Sequence, residues 1–369
     1  VYILTTINNI ENRITIHSKT QNVSCTNLYD HRPVARVLIP LAYSIICPVG
    51  LLSNALALHV ILNITKLNSI TLYSANLAVS DILFCLSLPL RAVYYGLGFH
   101  WPLGEGLCKA IALLFYLNCY AGVNFMTCLA IDRFVALVFP LKLAKLRKVK
   151  NARLVCLAIW LLVLAQTLPL LTINLTKTEP DNSITCMEYP NFEGLFKGLP
   201  YLLIVGVVLG FGVPLVTIIA CYSILTRKLH LAAKSNRLTE RSGRTKKARG
   251  VIAGVVFVFV VCFSPYHLDL LQYMIRKLIY DPDCKELQSF QISLHITVCL
   301  MNLNSCLDPF VYFFACKGYK QKLMRMMKWQ VGTHFSSVGR TSPESSGTGD
   351  VLGTRHNTGI TMNNIREGQ

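Results

Sequence analysis

Seven stretches of this 369-residue chain run apolar for twenty residues or more, at 37–62, 70–95, 108–138, 152–173, 198–226, 248–275 and 288–315. About 20 such residues, each rising about 1.5 Å, cross the roughly 30 Å hydrocarbon layer of a bilayer. No water reaches a backbone N–H or C=O there, so each segment must close its hydrogen bonds within itself as a helix. Composition agrees: 53% of residues are hydrophobic and only 15% are charged, where soluble domains carry about a quarter. The expected fold is an all-α membrane protein, a seven-transmembrane helix bundle.

A net charge of +18 would point to nucleic acid in a soluble protein, but here the bases are gathered in particular loops and no nucleic-acid partner is expected. The loop after the third segment carries Lys142, Lys145, Arg147, Lys148, Lys150 and Arg153 with no acid. The loop after the fifth runs from Arg227 and Lys228 to Lys246, Lys247 and Arg249. Both read as cytoplasmic. Loops after the second, fourth and sixth segments mix Glu105, Glu179, Asp181, Glu188, Asp281 and Asp283 with few bases. The N-terminus is therefore expected outside and the C-terminus inside, as an odd number of spans requires.

Residues 1–36 are polar, lack an initiating Met, and hold only one short apolar cluster, too poorly flanked for a signal peptide; they read as an extracellular arm. The sequons at Asn22 and Asn174 fall on the expected outer face and are the glycosylation candidates, whereas that at Asn63 falls inside. The membrane-spanning body is 37–316. Residues 317–330 are basic and amphipathic, an eighth helix lying on anionic membrane lipids. Residues 331–369 are rich in Ser, Thr and Gly and read as a disordered cytoplasmic tail. Ser336, Ser337, Thr341, Ser342, Ser345 and Ser346 are its candidate phosphosites.

The third segment, Cys108 to Pro140, stays apolar until it reaches Asp132 and Arg133. From Cys108 to Arg133 a helix covers roughly 37 Å, so a thiol stands at one membrane surface and a charged pair at the other. Of fourteen cysteines, ten lie within or at the inner ends of the spans and read as small buried hydrophobes. Cys25, Cys108, Cys186 and Cys284 remain outside, and four thiols allow three pairings. There is no C-x-x-C and the nine histidines are scattered, so no metal site is expected.

Polar residues inside the spans are costly and usually paired or functional. Asn54, Asp81, Asn118, Asn302, Asn304 and Asp308 form such a set at mid-depth. They fit either a hydrated cation or proton site between helices or an interhelical hydrogen-bond network. Pro89, Pro169, Pro214, Pro265 and Pro309 fall within spans and permit kinks.

The motifs GLLSN around Asn54, LAVSD ending at Asp81, Asp132-Arg133-Phe134, Trp160, Pro214 with Tyr222, Cys262-Phe263-Ser264-Pro265 and Asp308-Pro309-Phe310-Val311-Tyr312 occur in one order and spacing. Through them the membrane region resembles the rhodopsin-like (class A) G-protein-coupled receptors from end to end. Departures are Phe134 where Tyr is commoner, Phe263 at a position usually Trp, and Asp308 where Asn is usual. The resemblance implies a Cys108–Cys186 bridge, and Cys25–Cys284 is expected as a second. It implies coupling to a heterotrimeric G protein through Asp132, Arg133, Tyr222, Phe263, Pro265, Asp308 and Tyr312, with Arg133 pairing Asp132 at rest and both tyrosines near it once freed. It also implies an arrestin docking on the phosphorylated tail. Asp81, Asn118, Asn304 and Asp308 form the candidate sodium site, the ion acting as an allosteric modulator; no other cofactor is expected.

Within that family the runs TLYSANLAVSDILF, YAGVNFMTCLAIDRF, ITCMEYPNFE, SFQISLHITVCLMN and DPFVYFFACKGYK are similar to those of oxysterol-sensing chemotactic receptors. Members of that group use an Arg of the second span and tyrosines of the third and sixth to hold a hydroxylated cholesterol. The matching positions here are Arg91, Tyr116, Tyr120 and Tyr266. Without the resemblance, the same residues read as a snorkelling Arg and three core tyrosines. The group implies an inhibitory-type G protein and a role in immune-cell migration at the plasma membrane. A chemokine- or peptide-type chemoattractant receptor is the alternative within the fold. A transporter would show repeats relating the two halves, and an enzyme a nucleophile–base constellation; the sequence shows neither.

Overall fold

A computed structural model describes residues 28–64, 67–189, 198–235, 239–315 and 319–325, except for the side chains of 232–252 and 314–315. Cys25, Asn22, the tail phosphosites and, of the bases after the fifth span, Arg237 lie outside what is described. Seven helical spans are present: Arg32–Leu62, Ser69–Gly96, Gly104–Val138, Val149–Thr172, Leu199–Leu231, Ala253–Ile279 and Cys284–Phe313.

The ends differ from expectation for local reasons. The first span begins at Arg32, five residues early, because Pro33 occupies the first turn, where its missing N–H costs nothing. Arg36 Nε then donates to the Gly96 carbonyl at 2.7 Å, tying this turn to the end of the second span. The sixth span continues a helix that starts at Thr239, so Arg241, Arg244, Lys246, Lys247 and Arg249, read as loop, are helical. Lys and Arg are good helix formers, and nothing but apolarity ended the expected segment.

Proline shapes the interior of the spans. The second breaks between Cys85 and Leu88, with Pro89 opening the next helix. The fifth passes through a π-helical turn, Val208–Gly212, immediately before Pro214. A proline ring clashes with the carbonyl four residues back, and widening that turn relieves it. The seventh is interrupted at Leu303 between helices Cys284–Asn302 and Asn304–Ala315.

The third span is the most deeply buried of the seven. Leu52, Leu154, Val216 and Phe257, each more than 60% exposed, point the other way. Such surfaces are stable where lipid rather than water is the solvent. Close approach and polar stitching hold the bundle together. Asn54 Nδ2 donates to the carbonyls of Gly50 (3.0 Å) and Ser305 (2.6 Å), joining the first and seventh spans. Trp160 Nε1 donates to Asn76 Oδ1 at 2.9 Å, joining the fourth and second.

Over one end lies a hairpin of two strands, β1 (Thr176–Thr178) and β2 (Ile184–Cys186), antiparallel with Thr176 opposite Cys186. Three attachments fix it. Cys186 is bridged to Cys108. Glu105 accepts from the Leu175 and Thr176 amides, each at 2.8 Å. Arg32 pairs with Asp181 at 2.8 Å. Cys284 is disulfide-bonded as well; its expected partner Cys25 is outside the described residues. At the opposite end residues 319–325 are helical, within the expected eighth helix, and Tyr319 is buried with its ring 6.5 Å from that of Tyr312.

Candidate functional site

Beneath the hairpin a cavity of about 610 Å³ opens among the spans, and Arg91, Tyr116, Tyr120 and Tyr266 all line it. Each is delivered by its own local structure. Tyr116 and Tyr120 stand four residues apart on one face of the third span, their rings stacked at 6.4 Å and 19°. Gly210, in the π turn of the fifth span, leaves the room Tyr120 fills: a Cβ there would lie 3.2 Å from Tyr120 Cε1. Tyr266 follows Pro265 and hydrogen-bonds Tyr116. Arg91, three residues after the break in the second span, donates to the Tyr95 hydroxyl at 3.0 Å and the Cys186 carbonyl at 3.4 Å. Between these polar tips the wall is carried by Phe115, Leu170, Leu203, Leu270 and Val298.

Sequence reasoning counted Glu188 only as an acidic loop residue. The Cys108–Cys186 bridge carries it inward, where it is 2% exposed and lines the cavity. Tyr94 donates to Glu188 Oε1 at 2.9 Å, and His295 Nε2 donates to Oε2 at 3.1 Å. His31 Nε2 lies 3.1 Å from His295 Nδ1, continuing the chain to the head of the first span. Burial alone would raise the Glu188 carboxyl, but His295, Arg91 and the Tyr94 hydroxyl hold it below the usual range. Burial and neighbouring His295 lower His31 to about 4. Asp181 outside is held well below its usual range by hydrogen bonds from Ser183 and Arg32. The only sequence signal for Glu188 was its position two residues after a bridged cysteine.

At mid-depth the expected cluster assembles. Asn118 Nδ2 donates to Asp81 Oδ1 at 2.9 Å, Ser305 Oγ to the same oxygen at 3.2 Å, and Tyr312 to Asp81 Oδ2 at 3.3 Å. Asp308 faces Asp81, and Asn304 is reached through Ser305 at 3.2 Å. Neither Asp308 oxygen nor Asn304 Nδ2 has a hydrogen-bond partner, though all three are buried. Tyr312 thus points inward to Asp81 and Asn54 (3.4 Å) rather than toward Arg133, because a buried carboxylate is the stronger acceptor within reach.

At the end of the third span that carries Asp132 and Arg133, Arg147 of a short 3₁₀ turn in the next loop, Ala144–Arg147, pairs with Asp132 at 3.2 Å. Ser69 donates to the same carboxylate. Tyr222 is buried nearby within the Coulomb field of Arg133. Phe263 is fully buried one turn before His267, against the Gly122 face of the third span. Asn174 is exposed just before β1.

The 7 transmembrane receptor (rhodopsin family) profile matches residues 53–312. The chain is 87% identical over 344 residues to G-protein coupled receptor 183-B of Danio rerio, covering 93% of this chain and 94% of that one. It is 66% identical over 322 residues to G-protein coupled receptor 183 of Salmo salar, with 87% and 88% covered. Against G-protein coupled receptor 183 of Homo sapiens it is 51% identical over 338 residues, with 91% and 93% covered. This near-complete coverage agrees with the end-to-end resemblance carried by the motifs. With seven spans, a bridged hairpin, a cavity beneath it and a charged pair at the far end of the third span, the chain belongs to the rhodopsin family of G-protein-coupled receptors, membrane receptors rather than enzymes.

Proposed function

We propose that this receptor binds a hydroxylated cholesterol in the 610 Å³ cavity and activates an inhibitory-type G protein, directing immune-cell migration from the plasma membrane. The observation that carries this reading is the convergence of Arg91, Tyr116, Tyr120 and Tyr266 on a single, otherwise apolar cavity. Burial of a sterol skeleton supplies most of the binding free energy at about 25 cal/mol per Å². Hydroxyls meeting a charged donor such as Arg91 add about 1.5–3 kcal/mol each.

The chemokine or peptide alternative needs an accessible acid for a basic chain. Glu188, the carboxylate of this cavity, is already engaged by His295 and Tyr94. A sterol, by contrast, has the bilayer as its reservoir.

The ligand acts on the sixth span where Tyr266 adjoins Pro265, and Phe263 one turn further in transmits the movement toward Asn304 and Asp308. A sodium ion between Asp81 and Asp308 fits the two buried carboxylates and the unpartnered Asp308 oxygens. It would hold the second, third and seventh spans together in the resting arrangement. At the inner end, outward swing of the sixth span frees Arg133 for the carbonyls of the G protein. We place the basic loops and Arg133 in the cytosol, with Asn22 and Asn174 glycosylated outside and a second bridge at Cys25–Cys284. Phosphorylation of Ser336, Ser337, Thr341, Ser342, Ser345 and Ser346 then gives arrestin its anionic tail.

A panel of oxysterols and chemokines applied to cells expressing the receptor, read as cyclic AMP and as migration, tests the proposal. Oxysterols should lower cyclic AMP and direct migration. A response to peptides alone would overturn it.

A further inference from the structure

The first and seventh spans are joined at mid-depth, where Asn54 Nδ2 reaches the Ser305 carbonyl and Cys306 Sγ donates to the Ile46 carbonyl at 3.6 Å. Toward the hairpin they part and leave a second cavity, a groove of about 400 Å³. It faces the membrane, since Val34, Leu38 and Ile296 along it are each more than half exposed. Its wall on the first span, from Ala35 to Ile46, is apolar throughout and rises about 16 Å, close to half of the roughly 30 Å hydrocarbon layer. Ala35 and Ala42, two turns apart on one face, give the groove its depth. At the hairpin end the groove stops at His31 and His295.

These two histidines carry an unfinished hydrogen-bond chain. His295 Nε2 directs its proton to the Glu188 carboxylate at 3.1 Å, so in the neutral ring Nδ1 is an acceptor. His31 Nε2 lies 3.1 Å from that Nδ1 and supplies the proton. Lowered to about 4 by burial and by His295, His31 is neutral at pH 7, which leaves its own Nδ1 a bare acceptor. That atom is buried and has no hydrogen-bond partner. A buried acceptor without a donor is costly, and such groups in native folds are usually met by a water or a ligand. Because the groove ends at this ring, a molecule lying along it brings its polar head to His31.

We propose that the groove holds a membrane sterol of the cholesterol type, lying against the first and seventh spans with its single hydroxyl donating to His31 Nδ1. The chemistry selects it. A sterol is a rigid apolar plate with one hydroxyl donor at its head and a length near that of one leaflet. Phosphatidylcholine offers acceptors but no donor, and its chains lose more entropy when ordered. This site is separate from the cavity beneath the hairpin and stands whatever that cavity binds. The two communicate through His295, which lines both. A hydroxyl on His31 completes the chain of donors that ends on Glu188, so a bilayer sterol holds the first span, the seventh span and the hairpin loop together.

The test cross-links a photoreactive cholesterol, its hydroxyl left free, to the full-length receptor in phosphatidylcholine discs and maps the labelled peptides. Label should fall within residues 34–46 and 292–303. Unlabelled cholesterol should displace it about threefold to tenfold better than cholesterol methyl ether, which keeps the oxygen but has no proton to donate. His31→Phe should erase that preference while keeping the label, and Ala42→Phe, which fills the groove from its membrane side, should remove the label. Surface expression is measured for each variant, and His31→Leu serves in place of a Phe variant that fails to reach the membrane. Equal displacement by the methyl ether on the unmodified receptor, or a label that survives Ala42→Phe, overturns the proposal. So does a label that is absent or confined to the third and sixth spans, which reports sterol in the other cavity alone. Failure of the oxysterol panel with the groove label intact overturns only the reading of that other cavity.

Discussion

Arg91 is half-buried at the cavity wall and held by two hydrogen bonds and two aromatic faces, the Tyr95 ring at 5.1 Å and the Tyr94 ring at 5.6 Å. A side chain so held is already oriented before a ligand arrives, so a hydroxyl reaching it forfeits little side-chain entropy. Arg91→Ala should therefore weaken a dihydroxylated cholesterol by about 1.5–3 kcal/mol, roughly 10- to 100-fold, and cholesterol itself far less. Equal losses in a competition assay would contradict this. Gly210 gives a second prediction, because any Cβ there presses on the Tyr120 ring. Gly210→Val should push Tyr120 into the cavity, lowering sterol affinity while surface expression is kept, and Tyr120→Ala in the same chain should relieve part of the loss. Arg91, Tyr116, Tyr120 and Tyr266 were legible as a set only through resemblance, since an Arg and three tyrosines in apolar helices have an ordinary packing reading. The place of Glu188 in the cavity was not legible from residue types, because it depends on a disulfide that draws a loop inward.

At the scale of elements, the spans meet at small residues. A Cβ on Gly50 would lie 2.6 Å from Cys85 Sγ and 3.6 Å from Ser305 Cβ, in the seam where the first, second and seventh spans touch. Gly50→Ala should cost about 1–3 kcal/mol by overpacking, read as a lowered melting temperature, and Cys85→Ala in the same chain should return most of it. The outer latch from Tyr94 through Glu188 and His295 to His31 sets a pH dependence. His31 titrates at about 4 in the fold against 6.5 when free. Between those values the unfolded chain binds the proton and the folded one does not, so this contribution is whole above 6.5 and drains away as pH falls toward 4. Glu188, held below its usual range, acts in the same direction at lower pH. Melting temperature should fall on acidification through that window, and His31→Gln should flatten the slope between 6.5 and 4. A flat profile in the unmodified receptor would refute the latch. Hydropathy gave the spans themselves, because bilayer solvent imposes length and apolarity together. It could not give the early start at Arg32, the continuation of the sixth helix to Thr239 or the π turn before Pro214. Those follow from capping, helix propensity in water and local steric relief.

For the whole molecule, the account joins an outer cavity to an inner surface through one buried helix and a polar seam at mid-depth. The fold was legible from hydropathy, and the family from the resemblance of motifs such as Asp132-Arg133 and Asp308-Pro309 to those of known receptors. The Arg147 contact to Asp132 was not, because Arg147 reaches it from a loop whose path no periodicity describes. Arg133 lies about 20 Å beyond Tyr120 of the cavity along the third span, so Arg133→Ala should preserve sterol affinity and surface expression while abolishing output. The most direct test of the central claim is nucleotide exchange on a purified inhibitory-type G protein by the receptor in lipid discs, titrated with a dihydroxylated cholesterol. The account predicts a saturable increase in exchange with the unmodified receptor, shifted to higher sterol concentration by Arg91→Ala and absent with Arg133→Ala. Exchange that does not respond to the sterol, or that survives in full with Arg133→Ala, would contradict it.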